Sequence, residues 1–309
     1  MKQPCYLSVC MNPTLQKTLV FSSLIPDRVN RTGEYRLDAS GKGINVSRVL
    51  TQLGENCIHL TQLGGAFKGL FLELCGQDGL NLEWVESSSP IRFCYTLINK
   101  GEGTVTELVE EAEGVGEGTE ERLLAAYARL LPRLSGVIIS GTQAAGFSGA
   151  LVGEMVKLAK ARSITVILDV RGRDLLQSLP WAPDIIKPNL YEFASTFARD
   201  LVDRNEIAGK KEEVKERVRT IWGELYDQCR SRLVLTRGPE TVWYSEGREL
   251  EEFSFEADAN PLNTIGSGDA FTAGMAAALG RGASLREAVA EGCRCGKLNA
   301  ALLRPGVIE

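Results

Sequence analysis

An α/β fold with a mainly parallel central sheet is predicted by three features of this 309-residue sequence. From residue 119 onward, helical and strand patterns alternate regularly. The strand segments Val137-Ile138-Ile139, Ile164 to Leu168, Asp184-Ile185-Ile186 and Leu233-Val234-Leu235-Thr236 are near-continuous apolar runs, as strands covered on both faces should be. Polar residues follow these runs (Ser140, Asp169, Lys187, Asn189, Glu192, Thr236), where open parallel sheets bind ligands, beyond the carboxyl ends of their strands.

Taken in order, Tyr6 to Met11 is an apolar strand stopped by Asn12-Pro13. Residues 14–37 alternate weakly between turn residues and predict short strands outside the main core, such as a flap. A Gly41-Lys42-Gly43 turn then opens a helix with Val46, Val49, Leu50 and Leu53 on one face, ended by Gly54. Cys57 to Leu63 is a strand, and a helix follows from about Lys68 to Gly76. Ile91 to Asn99 alternates as a half-exposed strand does, with Thr104 to Val109 as its partner, and the acidic segment Glu107 to Glu121 reads as an exposed connection.

A helix through Leu134 starts at Thr119-Glu120-Glu121, with Leu123, Leu124, Tyr127, Leu130, Leu131 and Leu134 on its apolar face. A second runs roughly from Ser148 to Arg162, and a polar segment leads to a third over about Lys211 to Cys229. Val242 to Tyr244 and Phe253 to Ala257 are late strands. Ser284-Leu285-Arg286-Glu287 is a capping box for the last helix.

Bulk composition narrows the function classes. A hydrophobic content of 44% and a charged content of 24% are ordinary globular values. The net charge of −5 and the lack of a basic run argue against a nucleic-acid partner. No apolar stretch approaches the roughly 20 residues of a membrane span. The N-terminal stretch reads straight into strand sequence with no signal-peptide profile, and the eight scattered cysteines contain no CxxC pair. Reduced structural thiols in a cytoplasmic protein are expected. His59, the single histidine, lies in strand sequence and reads as a packed residue, so Ser-His-Asp chemistry and histidine metal sites are not expected.

The chemistry concentrates in Asn263-Thr264-Ile265-Gly266-Ser267-Gly268-Asp269-Ala270-Phe271. Two glycines before a helix present free backbone N–H groups to an anion. An aspartate there opposes phosphate binding, but suits a base that takes the proton of an attacking hydroxyl. Taken alone, Asp269 also reads as a helix cap. The Gly41-Lys42-Gly43 turn is neither a Walker A loop nor a dinucleotide fingerprint. It suits close backbone approach to a polar ligand, with Lys42 as a point charge, or else a plain strand-to-helix turn. Arg92 reads as a phosphate clamp or as a solvated edge charge.

Three motifs in this order resemble the PfkB group of ribokinase-like carbohydrate kinases. Ser40-Gly41-Lys42-Gly43-Ile44-Asn45-Val46 is similar to its first signature, and Ile265-Gly266-Ser267-Gly268-Asp269-Ala270-Phe271 to its second. Lys187-Pro188-Asn189-Leu190-Tyr191-Glu192 matches the KPN and NxxE pattern. Met11-Asn12-Pro13-Thr14-Leu15, Val29-Asn30-Arg31 and Lys42 are closest to the 1-phosphofructokinase and tagatose-6-phosphate kinase branch. The resemblance covers essentially the whole chain. It implies one ribokinase-like α/β domain over 1–309, with β-lid segments about 12–37 and 91–109 that close on ligand and mediate a homodimer.

It also implies transfer of the γ-phosphoryl group of ATP, with Mg²⁺, to a hydroxyl of a sugar phosphate. Asp269 is then the base, and Gly266, Ser267 and Gly268 form the anion hole. Asn189 and Glu192 hold the metal, directly or through water. Lys187, Asn189, Thr236, Gly238 and Gly268 contact nucleotide, and Gln16, Gly41, Lys42, Asn45 and Arg92 contact the sugar phosphate. Two departures lie on the substrate side. Gln16 stands where the branch carries an aspartate, removing a charge. Thr142-Gln143-Ala144-Ala145-Gly146 follows Ser140-Gly141 where small residues, Leu and Pro-Gly are usual. Two alternatives stand beside this reading: a kinase of an unphosphorylated sugar or a nucleoside, and a catalytically silent sugar-phosphate-binding protein.

Overall fold

The strand segments alternate their side chains between two separate cores. Leu7, Val9, Val137, Ile139, Val166, Leu168, Leu233 and Leu235 pack into one, with Tyr127, Met155, Phe193 and Trp222 from the covering helices. Their neighbours Tyr6, Ile138, Ile167 and Val234 pack into the other, against Val46, Val49, Met275 and Val289. A period of two with both faces buried produces near-continuous apolar runs. Each fully buried side chain of this kind contributes about 1.5–3 kcal/mol relative to exposure.

This computed structural model describes residues 5–201, 211–258 and 260–309. Residues 1–4, where the N-terminal reading begins, and part of the polar segment before residue 211 lie outside the described residues. The large sheet runs, edge to edge, Glu251–Phe253, Val242–Ser245, Arg232–Leu235, Ile185–Ile186, Thr165–Asp169, Gly136–Ser140, Cys5–Cys10, Asn56–Leu63 and Asn81–Glu86. Neighbours are parallel from Arg232–Leu235 through to Asn81–Glu86, and the two strands at the other edge are antiparallel. The α/β expectation is met.

A separate four-stranded sheet has the order Glu34–Ser40, Thr14–Phe21, Arg92–Asn99 and Thr104–Val109. Thr14–Phe21 pairs parallel with Arg92–Asn99 and antiparallel with Glu34–Ser40. Leu15 and Ala39 from this small sheet, with Ile91 just before its third strand, join Ile44, Leu63, Phe71 and Cys75 in a third core, which ties it to the body.

Boundaries differ from the sequence reading where turns compete with periodicity. The helix expected through Leu134 ends at Leu130, and Pro132 sits in a 3₁₀ turn over Leu131–Arg133, because proline cannot donate the next helical bond. The helix expected over 148–162 covers Leu151–Lys160. The last strand is Glu251–Phe253 rather than Phe253 to Ala257. Asn81–Glu86, a partly exposed edge strand, gave no clear sequence signal. The capping box at Ser284 is formed, with the Glu287 N–H donating to Ser284 Oγ. Among the described residues no helix is long and apolar enough to cross a membrane.

Candidate active site

The chain leaves the strand Cys5–Cys10 toward Asn56–Leu63 on one side and returns to Gly136–Ser140 on the other. The strand order reverses at this pair, and a crevice opens beyond their carboxyl ends. A cavity of about 240 Å³ lies there. Asn12 follows the first strand, Gly141 and Thr142 follow the second, and Asp169 ends the third; all four line it. Gly41, Lys42, Arg92, Arg171 and Glu192 complete most of its wall. Thr142 receives a hydrogen bond from Asn12 Nδ2 at 3.3 Å, while buried Asn12 Oδ1 has no partner among the described residues.

Asp269 lies in the first turn of the helix Ser267–Gly280, which starts from Gly266 at φ 84°. A Cβ on Gly266 would meet the backbone N of Gly306 at 2.5 Å, so only glycine fits both the angle and the packing. Ser267 N–H donates to the Thr264 carbonyl at 3.2 Å. The turn itself thus takes the N–H of Ser267, a residue expected in the anion hole. Among the described residues, the N–H groups of Gly266, Gly268 and Asp269 find no protein acceptor, as a helix start leaves them. Asp269 is 6% exposed, and Asn45 Nδ2 donates to its Oδ2 at 2.8 Å. Burial pushes its pKa up from 3.8 to about 7; Asp169 adds to the rise, and Lys42, Asn45 and Lys187 oppose it.

Asp169 is the centre of the adjoining charge cluster, although the sequence marks it only as a polar residue after a strand. Its Oδ1 takes Lys42 Nζ at 3.2 Å, and its Oδ2 lies 3.2 Å from both Lys187 Nζ and Thr272 Oγ1. Burial raises its pKa, but Lys187 and Lys42 outweigh that and hold the carboxyl below its usual range. Lys42 Nζ also donates to Glu192 Oε1 at 2.9 Å. Burial lowers the Lys42 pKa, but Asp169, Glu192 and Asp269 together raise it above the ordinary lysine value. Lys42 is therefore a charge already shared between two carboxylates.

Asn189 and Glu192 form a reciprocal capping box at the start of Leu190–Phe197. Asn189 Oδ1 accepts the Glu192 N–H at 2.8 Å, and Glu192 Oε2 accepts the Asn189 N–H at 2.9 Å. Both carboxylate oxygens of Glu192 are thus engaged. These oxygens fit a hard cation that keeps its waters rather than one stripped of them.

A second cavity, of about 550 Å³, is lined by Asn189, Thr236, Gly238, Ser267, Gly268 and Phe271, among others. Its floor joins two of the expected motifs: Leu190 N–H donates to the Thr236 carbonyl at 2.9 Å, and Asn189 bridges Thr236. Asn189 and Glu192, one turn apart, line the large and the small cavity respectively. The expected residues therefore divide between two clefts.

Not every expected contact faces a cleft. Lys187, expected on nucleotide, is turned inward on Asp169 with its side chain 3% exposed, and lines neither cavity. Gln16, expected on the sugar, is buried and its Nε2 donates to Thr96 Oγ1 at 2.7 Å across the small sheet. Asn45 is buried beneath Asp269 rather than at a cavity wall. Arg48 Nη1 donates to Asn45 Oδ1 at 3.0 Å, which fixes the amide so that its Nδ2 faces Asp269. His59 is buried against Ser47, and burial takes its pKa down to about 3, as a packed strand residue requires.

The profile of the pfkB family of carbohydrate kinases matches residues 8–306. Among solved structures, phosphofructokinase-2 from Escherichia coli in complex with fructose-6-phosphate is 20% identical. It superposes with a TM-score of 0.79 over 97% of this chain and 94% of that chain. A possible 1-phosphofructokinase from Thermotoga maritima is 21% identical, with a TM-score of 0.83 over 97% of this chain and 93% of that one. At such identities these likenesses carry the fold.

Proposed function

We propose, from the premise that this chain belongs to the pfkB family of carbohydrate kinases, that it transfers the γ-phosphoryl group of ATP to a hydroxyl of a hexose phosphate such as fructose 1-phosphate or tagatose 6-phosphate. That it is a carbohydrate kinase follows from the family; the phosphorylated acceptor and the nucleotide are our reading. The observation that carries it is Asp269. A buried carboxylate with a pKa of about 7, placed beside free N–H groups at a helix start, is poised as a base rather than as a cap.

On this reading the sugar phosphate occupies the 240 Å³ cavity and ATP the 550 Å³ cavity. Asp269 takes the proton of the acceptor hydroxyl as its oxygen bonds to the γ-phosphorus, and the bond to the departing ADP oxygen breaks. The N–H groups of Gly268, Asp269 and Gly266 face the charge that develops on the transferring phosphoryl oxygens. Asn45 holds the Asp269 carboxylate, and Lys42 keeps its pKa from rising further. Mg²⁺, when bound, supplies further neutralisation of phosphate charge, and Asn189 with Glu192 would hold it through water.

The reading also includes a cytoplasmic location and a homodimer through the small sheet. All eight cysteines are free, which suits a reducing compartment. The edge strand Thr104–Val109 is exposed along its length, and Val29, Tyr35, Leu108 and Val109 leave apolar surface on the same sheet region. The test is an ADP-release screen of the wild type and Asp269→Asn against sugars, sugar phosphates and nucleosides. Turnover that depends on Asp269 and is fastest with a hexose phosphate supports the reading; preference for a free sugar or nucleoside overturns the acceptor. ATP use that no acceptor stimulates overturns the activity.

A further inference from the structure

The charges around the small cavity do not all act on a ligand. Lys42 is neutralised by Asp169 and Glu192, and Lys187 by Asp169. Among the described residues, the two cations left on the cavity wall are Arg92 and Arg171. Among the described residues, neither makes an ion pair. Arg92 Nη1 donates to the Glu110 carbonyl at 2.7 Å, and its buried Nε has no partner among the described residues. Arg171 has no hydrogen-bond partner among the described residues, is exposed, and lines the cavity. Its backbone is held in place nonetheless, because the adjoining Gly172 N–H donates to Thr196 Oγ1 at 2.9 Å.

We infer that Arg171 is a second leg of the acceptor-phosphate clamp, lining the same cavity as Arg92, and sets the preference for a phosphorylated acceptor. This rests on the kinase reading for the identity of the ligand. A phosphate monoester carries close to two negative charges at neutral pH, and two guanidinium groups match it in charge and in planar donor geometry. The two arginines belong to different parts of the fold. Arg92 begins a strand of the small sheet, whereas Arg171 follows Asp169 at the end of a strand of the large sheet. A phosphate held by both joins the small sheet to the body, so acceptor recognition and closure of the cleft become one event.

The test is calorimetric binding to wild type, Arg171→Ala and Arg171→Lys, without turnover. The probes are fructose 1-phosphate, tagatose 6-phosphate, free fructose and a non-hydrolysable ATP analogue with Mg²⁺. Loss of one charge-assisted leg predicts a weakening of about tenfold or more for the better-bound sugar phosphate in Arg171→Ala. Free fructose and the ATP analogue should change less than about twofold, and Arg171→Lys should recover part of the loss. Sugar-phosphate affinity that survives Arg171→Ala within about twofold overturns the assignment. An equal loss for the ATP analogue overturns it too, since Arg171 would then serve nucleotide phosphate. Because binding is read without turnover, a wild type that binds sugar phosphate through Arg171 yet never phosphorylates it refutes the kinase reading alone. A wild type that binds neither sugar phosphate refutes both.

Discussion

Replacing Asp269 by asparagine separates a cost in stability from a gain in catalysis. The folded protein holds this carboxyl at about 7, against an ordinary 3.8, chiefly because it is buried. Between those two pH values the folded chain keeps a proton that the unfolded chain has released. The contribution of this one group to stability is therefore fully present below about pH 4 and is lost as pH rises through 7. About 3 pH units at about 1.36 kcal/mol each amounts to about 4 kcal/mol. For a chain of 309 residues, with an unfolding entropy of about 2.1 cal/mol/K per residue, that is about 6 °C in Tm. Scanning calorimetry of both proteins from pH 4 to 8, without ligands, should show Asp269→Asn gaining about 6 °C on the wild type across that range. The same variant should lose about 10²–10⁴-fold in turnover, and wild-type kcat/KM should rise through an apparent pKa near 7. Parallel Tm profiles, or a variant that keeps wild-type turnover, would refute the reasoning.

Three further outcomes follow from neighbouring contacts. Lys42 lowers the Asp269 pKa, so Lys42→Met should move the acid limb of the kcat/KM profile to higher pH, read from a pH–rate series. Arg48 and Asp78 pair at 2.9 Å with side chains only 3% and 7% exposed. Arg48→Met takes one of two arginines from Asp78, which keeps Arg304, and removes a donor from the Asn45 amide; it should cost about 1–3 kcal/mol in urea unfolding. Gly266→Ala combines a left-handed backbone angle with an approach of 2.5 Å to Gly306. It should stay helical by circular dichroism while losing most of its activity, because the shift falls on the turn that carries Asp269.

The large sheet and the Ser284 capping box were legible because their signals are local, whereas the capping box at Asn189 and Glu192 emerges only from the structure. Alternation between two cores leaves continuous apolar runs, and Ser284 faces a glutamate three residues on. The site was legible only as separate motifs. Asp169 ends an ordinary strand, and nothing near it in sequence says that Lys42, 127 residues away, will bond to it. Arg171 follows it without a motif, and only the cavity shows where that residue stands. The position of Gln16 in a pattern implies a substrate contact, whereas its place on an inner strand of the small sheet buries it against Thr96. Long-range charge pairing and the facing of a side chain are set by topology, which a single chain pattern does not encode.

That distinction alters the meaning of the lysine in the Gly41-Lys42-Gly43 turn. As a free point charge it would attract phosphate; held at 3.2 Å from Asp169 and 2.9 Å from Glu192, it brings little net field to the cavity. Its action falls instead on Asp269, whose pKa it lowers against the combined push of burial and Asp169. On the proposed reading, base strength and acceptor charge recognition are then assigned to different residues. Lys42 and Asp169 tune the base, while Arg92 and Arg171 take the acceptor phosphate. A free sugar can therefore meet a competent base and still be a poor substrate, because it has nothing to draw the two arginines together.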